Sequence, residues 1–252
     1  MKKTLNIAHR GFSGQYPANT LIAYRKAVDV KADVIELDVL CSRDGEIVTI
    51  HDTNVDHTTN GTGRVGDLSL QELKTLDAGS WFSPRFKGEA IPTLRETFEA
   101  LQATPVKFCI EIKGDTIEEA RYVAQQTVKI IEAYNLSQRC MFASFKPEAL
   151  TVVQHLLPQV PTAFVPDKAS TLSARELCAQ VVNMGAAILS QRYQQLTPEL
   201  VTETHHHGIS LWAWTVNTES DMRSMLELGI EGIITNHPEI LQHLLSEPYG
   251  QQ

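Results

Sequence analysis

The chain has no apolar run of the roughly eighteen residues that a membrane-crossing helix requires. It also lacks a basic excess: 22 Lys and Arg face 30 Asp and Glu, a formal charge of −8. That balance excludes nucleic acid as the expected partner and argues against stable attachment to anionic membranes. Cysteine is sparse. Cys41, Cys109, Cys140 and Cys178 are scattered, with no Cys-x-x-Cys pair, and read as buried thiols rather than disulfides or zinc ligands. The P-loop pattern is absent, and no dinucleotide site is expected. Met1-Lys2-Lys3 looks like the start of a secretory leader, but the apolar stretch Leu5–Ala8 is short and runs straight into His9-Arg10. The expectation is an unprocessed cytoplasmic protein.

What is present is a rhythm. Short β-rich runs occur at Leu5–Ala8, Val34–Cys41, Val106–Ile112, Met141–Ser144, Thr162–Val165, Ala187–Ser190, Ser210–Val216 and Gly232–Thr235. Helical patterns fall at Thr20–Val30, Leu94–Leu101, Ile117–Tyr134, Pro147–Leu157, Ala174–Val182, Pro198–His206, Glu219–Leu228 and Pro238–Leu245. Pro147, Pro198 and Pro238 sit at first-turn positions, and Thr218-x-x-Asp221 resembles a capping box. Eight β-then-α units in 252 residues predict an α/β fold, a closed TIM (β/α)8 barrel over the whole chain. Residues 53–92 supply no barrel unit. Rich in Gly, Ser, Thr and Asp, they read as an insertion after the second strand, capping the mouth, with Ser69-x-x-Glu72 starting a short helix. Trp81 and Phe82 within it either line a pocket or anchor the insertion.

Residues two apart in a strand share a face. In Val34-Ile35-Glu36-Leu37-Asp38-Val39 both acids therefore point one way, and the apolar neighbours the other. A parallel barrel buries both faces of its strands, so the acids are expected to point inward. Glu111 and Lys113 repeat the pattern on the third strand; the first ends in His9-Arg10, and the extended piece Glu46–Ile50 delivers His51-Asp52. All these groups lie at strand C-terminal ends, where barrel enzymes place their sites. Two carboxylates about 4 Å apart repel by roughly 4 kcal/mol at an effective dielectric near 20, so three need cations. Oxygen donors without cysteine suit Mg²⁺ or Ca²⁺ rather than Zn²⁺. Glu36, Asp38 and Glu111 against Arg10 and Lys113 leave −1; one divalent cation makes +1, which suits a phosphodiester. Asp52 is taken to orient His51. His9 and His51 suit an acid/base pair at neutral pH, with the assignment of acid and base open. Trp214 is a candidate apolar wall. His205-His206-His207 is read as a helix-end feature rather than a metal tract. His57, His155, His237 and His243 receive no role.

His9-Arg10, Glu36-x-Asp38, His51-Asp52 and Glu111-x-Lys113, in this order, resemble the motif set of the glycerophosphodiester phosphodiesterase family. Gly45-Glu46-Ile47, Thr59-Asn60-Gly61-Thr62-Gly63, Asp77-Ala78-Gly79-Ser80-Trp81, Ser144-Phe145 and Trp214-Thr215-Val216-Asn217 extend the resemblance over nearly the whole chain. The compact length resembles the cytosolic bacterial members. The resemblance implies metal-dependent hydrolysis of small glycerophosphodiesters, such as glycerophosphocholine or glycerophosphoethanolamine, to sn-glycerol 3-phosphate and an alcohol. By motif match His9 and His51 are the acid/base pair, Glu36, Asp38 and Glu111 the metal ligands, and Arg10 and Lys113 the phosphate contacts. Two departures stand out. Ala18 replaces the Glu of a common Pro-Glu-Asn-Thr motif, and Asn236 replaces a common Asp after Thr235, which makes a substrate-end acid absent or unnecessary. The competing readings are a lysophospholipase D, which the polar insertion disfavours, and a non-catalytic anion-binding barrel, in which a histidine could be lost.

Overall fold

A computed structural model describes residues 4–167 and 171–247. The Met1-Lys2-Lys3 start lies outside them. The strands are β1 (Leu5–His9), β2 (Val34–Cys41), β3 (Ile47–Thr49), β4 (Lys107–Ile112), β5 (Cys140–Ser144), β6 (Thr162–Phe164), β7 (Ile188–Arg192), β8 (Ser210–Trp214) and β9 (Gly232–Thr235). The helices are α1 (Leu21–Asp29), α2 (Leu70–Leu73), α3 (Leu94–Leu101), α4 (Ile117–Ala133), α5 (Pro147–Leu156), α6 (Ala174–Asn183), α7 (Pro198–His206), α8 (Glu219–Glu227) and α9 (Pro238–Ser246).

β1 pairs in parallel with both β2 and β9, which closes the eight-stranded barrel. β3 stands outside the circle, antiparallel to β2; it is the extended piece expected before His51. Strand alternation sorts the apolar residues into two cores. Ile35, Leu37, Ile110, Phe142, Leu189, Leu211 and Ile233 pack outward against the helices. Ile7, Val34, Cys109, Met141, Ala163, Ile188, Trp212 and Ile234 fill the interior. At Gly232 a Cβ would lie 2.6 Å from the Trp212 ring, so only glycine leaves room for that indole in the barrel.

Ser69, Thr93, Thr116 and Ser173 form reciprocal capping boxes for α2, α3, α4 and α6. Thr218 caps α8 through the Asp221 N–H, and the Asp221 carboxylate returns to the Thr218 hydroxyl. The insertion has its own small core, in which Val55, Val65, Leu73, Ala78 and Ile91 pack on Leu40 and Val48. Asp77 ties its loops together by accepting from the Gly79, Ser80 and Gly88 N–H groups. Trp81 and Phe82 are anchors: they begin an aromatic chain through Phe86 and Tyr16 to Phe12 on the first barrel loop. Gly61, Gly63 and Gly66 have G-x-G-x-x-G spacing, but they lie in the insertion rather than between a strand and a helix, the context a dinucleotide-binding turn requires.

Cys109, Cys140 and Cys178 are buried free thiols, while Cys41 is half-buried. His205 pairs with Glu231 at 2.9 Å and His207 lies 3.5 Å from Glu203.

Candidate active site

Parallel register assembles the site. His9 on β1 is the partner of Glu36 on β2, and Asp38 on β2 is the partner of Glu111 on β4. Beyond β1 the chain turns through Arg10, whose φ of +57° is unusual for a side-chain-bearing residue. That turn aims the Arg10 N–H at Glu36 Oε2, 2.9 Å away. Gly11 follows at φ +79°, where a Cβ would lie 2.7 Å from the Ala23 backbone.

These elements enclose a cavity of about 160 Å³. His9, Arg10, Glu36, His51, Glu111 and Lys113 form its polar wall; Ala143, Phe145, Val165, Trp214 and Ile234 form its apolar wall. Asp38 lies beneath the polar wall and is 1% exposed. It is 3.2 Å from Arg10 Nε and 3.1 Å from Lys113 Nζ. Asn19 donates to Asp38 Oδ2 at 2.8 Å and is itself held by the Tyr24 hydroxyl at 3.0 Å. Lys113 also pairs with Glu111 and stands 5.7 Å from the centre of the Phe145 ring. Phe145 meets Trp214 edge-on at 5.8 Å, and Trp214 Nε1 donates to the Ser190 carbonyl at 3.0 Å.

Charges divide unequally among the carboxylates. Burial pushes the Glu36 carboxyl well above its ordinary range, and the neighbouring Asp38 and Glu111 push it further. Its Oε1 is buried with no hydrogen-bond partner among the described residues. Burial acts on Asp38 too, but Lys113 and Arg10 more than reverse it and hold that carboxylate well below its usual range. Lys113, although buried, is kept charged by Asp38 and Glu111. Glu36, Asp38 and Glu111 each offer an oxygen, all within 4.8 Å of one another. Three convergent carboxylates, one carrying an orphaned oxygen, fit a hard divalent cation.

The two histidines are held from behind. His9 Nδ1 lies 2.7 Å from Asn236 Oδ1, and His51 Nδ1 lies 2.6 Å from Asp52 Oδ1. Oxygen acceptors at Nδ1 leave each Nε2 free for other partners. Burial pushes the His9 pKa down to about 3, with Arg10 adding to the effect. Burial therefore favours the uncharged form of the His9 ring.

The structure thus gathers every expected site residue: seven line the cavity and Asp38 lies directly below. Asp52 stands behind His51, as expected. Asn236, where many relatives carry an acid, stands behind His9. Sequence reasoning also missed three supporting residues. Phe145 was visible only as part of a motif. Asn19 and Asn236 reach the site through tertiary contacts that no local spacing encodes.

The chain matches the Glycerophosphoryl diester phosphodiesterase family across residues 9–240. It belongs to that family. A glycerophosphodiester phosphodiesterase from Caldanaerobacter subterraneus subsp. tengcongensis is 39% identical, with 96% of this chain and 98% of the relative aligned. One from Bacillus subtilis is 33% identical, covering 98% of this chain and 88% of the relative. An Oleispira antarctica phosphodiesterase, solved with the product sn-glycerol-3-phosphate, superposes with a TM-score of 0.87 at 27% identity, over 96% of each chain. Among the described residues no helix is long and apolar enough to cross a membrane.

Proposed function

We propose that this family member hydrolyses small glycerophosphodiesters, such as glycerophosphocholine and glycerophosphoethanolamine, to sn-glycerol 3-phosphate and an alcohol. The observation that carries the reading is the pairing of two back-held histidines, His9 and His51, on the rim of one cavity with the carboxylate cluster. The product bound by the Oleispira antarctica relative supports the same substrate class.

Glu36, Asp38 and Glu111 would hold one divalent cation, Mg²⁺ or Ca²⁺. Bound there, it supplies Lewis acidity toward phosphate oxygens. Arg10 and Lys113 carry positive charge into the cavity wall and bind the phosphodiester anion. The apolar wall of Phe145 and Trp214 shapes the opposite side and takes the carbon skeleton of the substrate. His9 and His51 share the proton transfers: one imidazole removes a proton from the attacking water, or from a neighbouring glycerol hydroxyl whose cyclic phosphate water then opens, and the other protonates the departing alkoxide. The phosphorus–oxygen bond to the alcohol breaks as the new one forms, so no redox partner is needed. Residues 1–252 act as one catalytic unit, with the insertion at 53–92 over the mouth. Four free thiols fit the reducing cytoplasm.

The test is product release from a panel of glycerophosphodiesters with and without added metal. Release of glycerol 3-phosphate that needs Mg²⁺ or Ca²⁺ is the expected result. Turnover undiminished in excess chelator would remove the metal assignment. Turnover of lysophospholipids alone would redirect the substrate class.

A further inference from the structure

Asp52 has two imidazoles, not one. Its Oδ1 faces His51 Nδ1 at 2.6 Å, and its Oδ2 faces His57 Nδ1 at 3.1 Å. Both interactions lower the Asp52 pKa, against the opposing effect of partial burial. An ionised carboxylate can only accept, so both rings carry their proton on Nδ1. His51 is then the tautomer whose Nε2 is free to face the cavity.

His57 lies outside the cavity, with its side chain 78% exposed. An exposed ring would ordinarily hold such a partner weakly. Here the turn that carries it is pinned. Val55 is fully buried in the insertion core, and its N–H donates to the Gly63 carbonyl at 3.0 Å. Its carbonyl accepts from the Thr59 hydroxyl at 2.8 Å. On the same turn, Asp56 accepts from the Gly63 N–H at 3.1 Å, which leaves Asp52 as the partner of the His57 ring. The backbone therefore fixes where the His57 side chain starts, and the contact with Asp52 orients its ring.

A carboxylate held at one oxygen can rotate about its terminal torsion, which is broad and nearly two-fold. Held at both oxygens, it cannot. We propose that His57 is a positioning residue for the reaction, acting through Asp52 to fix the tautomer and orientation of His51. The insertion thereby does more than cover the mouth: it supplies the outer clamp of a histidine inside the barrel. This inference rests on the reading of His51 as a proton-transfer residue.

The test compares His57→Leu, which removes the donor, with His57→Asn, whose side-chain amide can replace Nδ1–H. Steady-state rates are measured with glycerophosphocholine and Mg²⁺. The His51 tautomer is read separately from its ring ¹⁵N shifts in metal-free protein. His57→Leu is expected to lose about three- to tenfold in kcat, the range of one hydrogen bond, with KM unchanged. Its His51 shifts should report a mixture of tautomers. His57→Asn should recover most of the rate and the single tautomer. An unchanged His51 tautomer in His57→Leu overturns the proposal, whatever the rate does. A mixed tautomer with a wild-type rate also overturns it, and does so by removing His51 from proton transfer, the reading on which the inference rests.

Discussion

Asp38 and Glu111 are direct register partners on adjacent parallel strands, two like charges side by side inside a barrel. Like charges placed directly opposite are destabilising. Lys113, two residues beyond Glu111, bridges both, and Arg10 reaches Asp38 from the other side. Among the described residues no cationic side chain pairs with Glu36, which receives the Arg10 backbone N–H instead.

In metal-free protein at neutral pH, Glu36→Gln should raise or preserve the melting temperature, while with Mg²⁺ or Ca²⁺ present the variant should lose the turnover that the parent shows. The sign follows from linkage. Burial raises the folded-state pKa of Glu36 above its ordinary value of 4.5. Above that value the unfolded chain ionises first, so stability falls as pH rises. A neutral amide removes this penalty. The difference between variant and parent should vanish near pH 4. Melting curves at several pH values check it, and a clear loss of stability for the variant at neutral pH would contradict it.

Lys113→Met should destabilise the fold by about 3–5 kcal/mol, the usual effect of breaking a buried pair from one side. Asp38 is depressed below its ordinary value of 3.8 by Lys113 and Arg10. Its ion pairs thus contribute fully above that pH and are lost in stronger acid. The gap between parent and variant should accordingly narrow on strong acidification, as read by denaturant unfolding.

Asn236→Asp should make activity more sensitive to acid. The amide that faces His9 carries no charge, and burial keeps that ring neutral down to about pH 3. A carboxylate in its place favours the imidazolium and raises the His9 pKa. If neutral His9 is required, the acid limb of kcat/KM moves to higher pH. A limb that stays in place would argue against that requirement.

His51→Ala should lose roughly a hundred- to ten-thousand-fold in turnover, the range of general acid–base catalysis, with the circular dichroism spectrum unchanged. A near-normal rate would take His51 out of the mechanism.

Gly232→Ala should cost about 1–3 kcal/mol, because the added methyl collides with the Trp212 ring in a filled interior. Thermal denaturation checks it; an unchanged midpoint would mean that the indole can move aside.

Much of this was legible in the chain itself, and the reason is local. A strand alternates with period two whatever surrounds it, so Glu36 and Asp38 must share a face, as must Glu111 and Lys113. Proline and hydroxyl caps mark helix starts within one turn, and they fall where the helices begin. The adjacency of His51 and Asp52 likewise made their pairing readable.

Other features needed the closed fold. Asn236 meets His9 only because β9 pairs with β1 across the seam of the barrel. Asn19 reaches Asp38 only because the β1–α1 loop folds over β2. Trp81 and Phe82 became anchors because Phe86 and Tyr16 continue the stack toward Phe12. His57 is close to Asp52 in sequence, yet its contact depends on a turn pinned to the insertion core. By itself the sequence determined which groups share a face, because alternation is a property of one strand. The tertiary structure decided which oxygen stands behind each histidine and which carboxylates the Arg10 and Lys113 side chains reach, because register, closure and burial belong to several strands together.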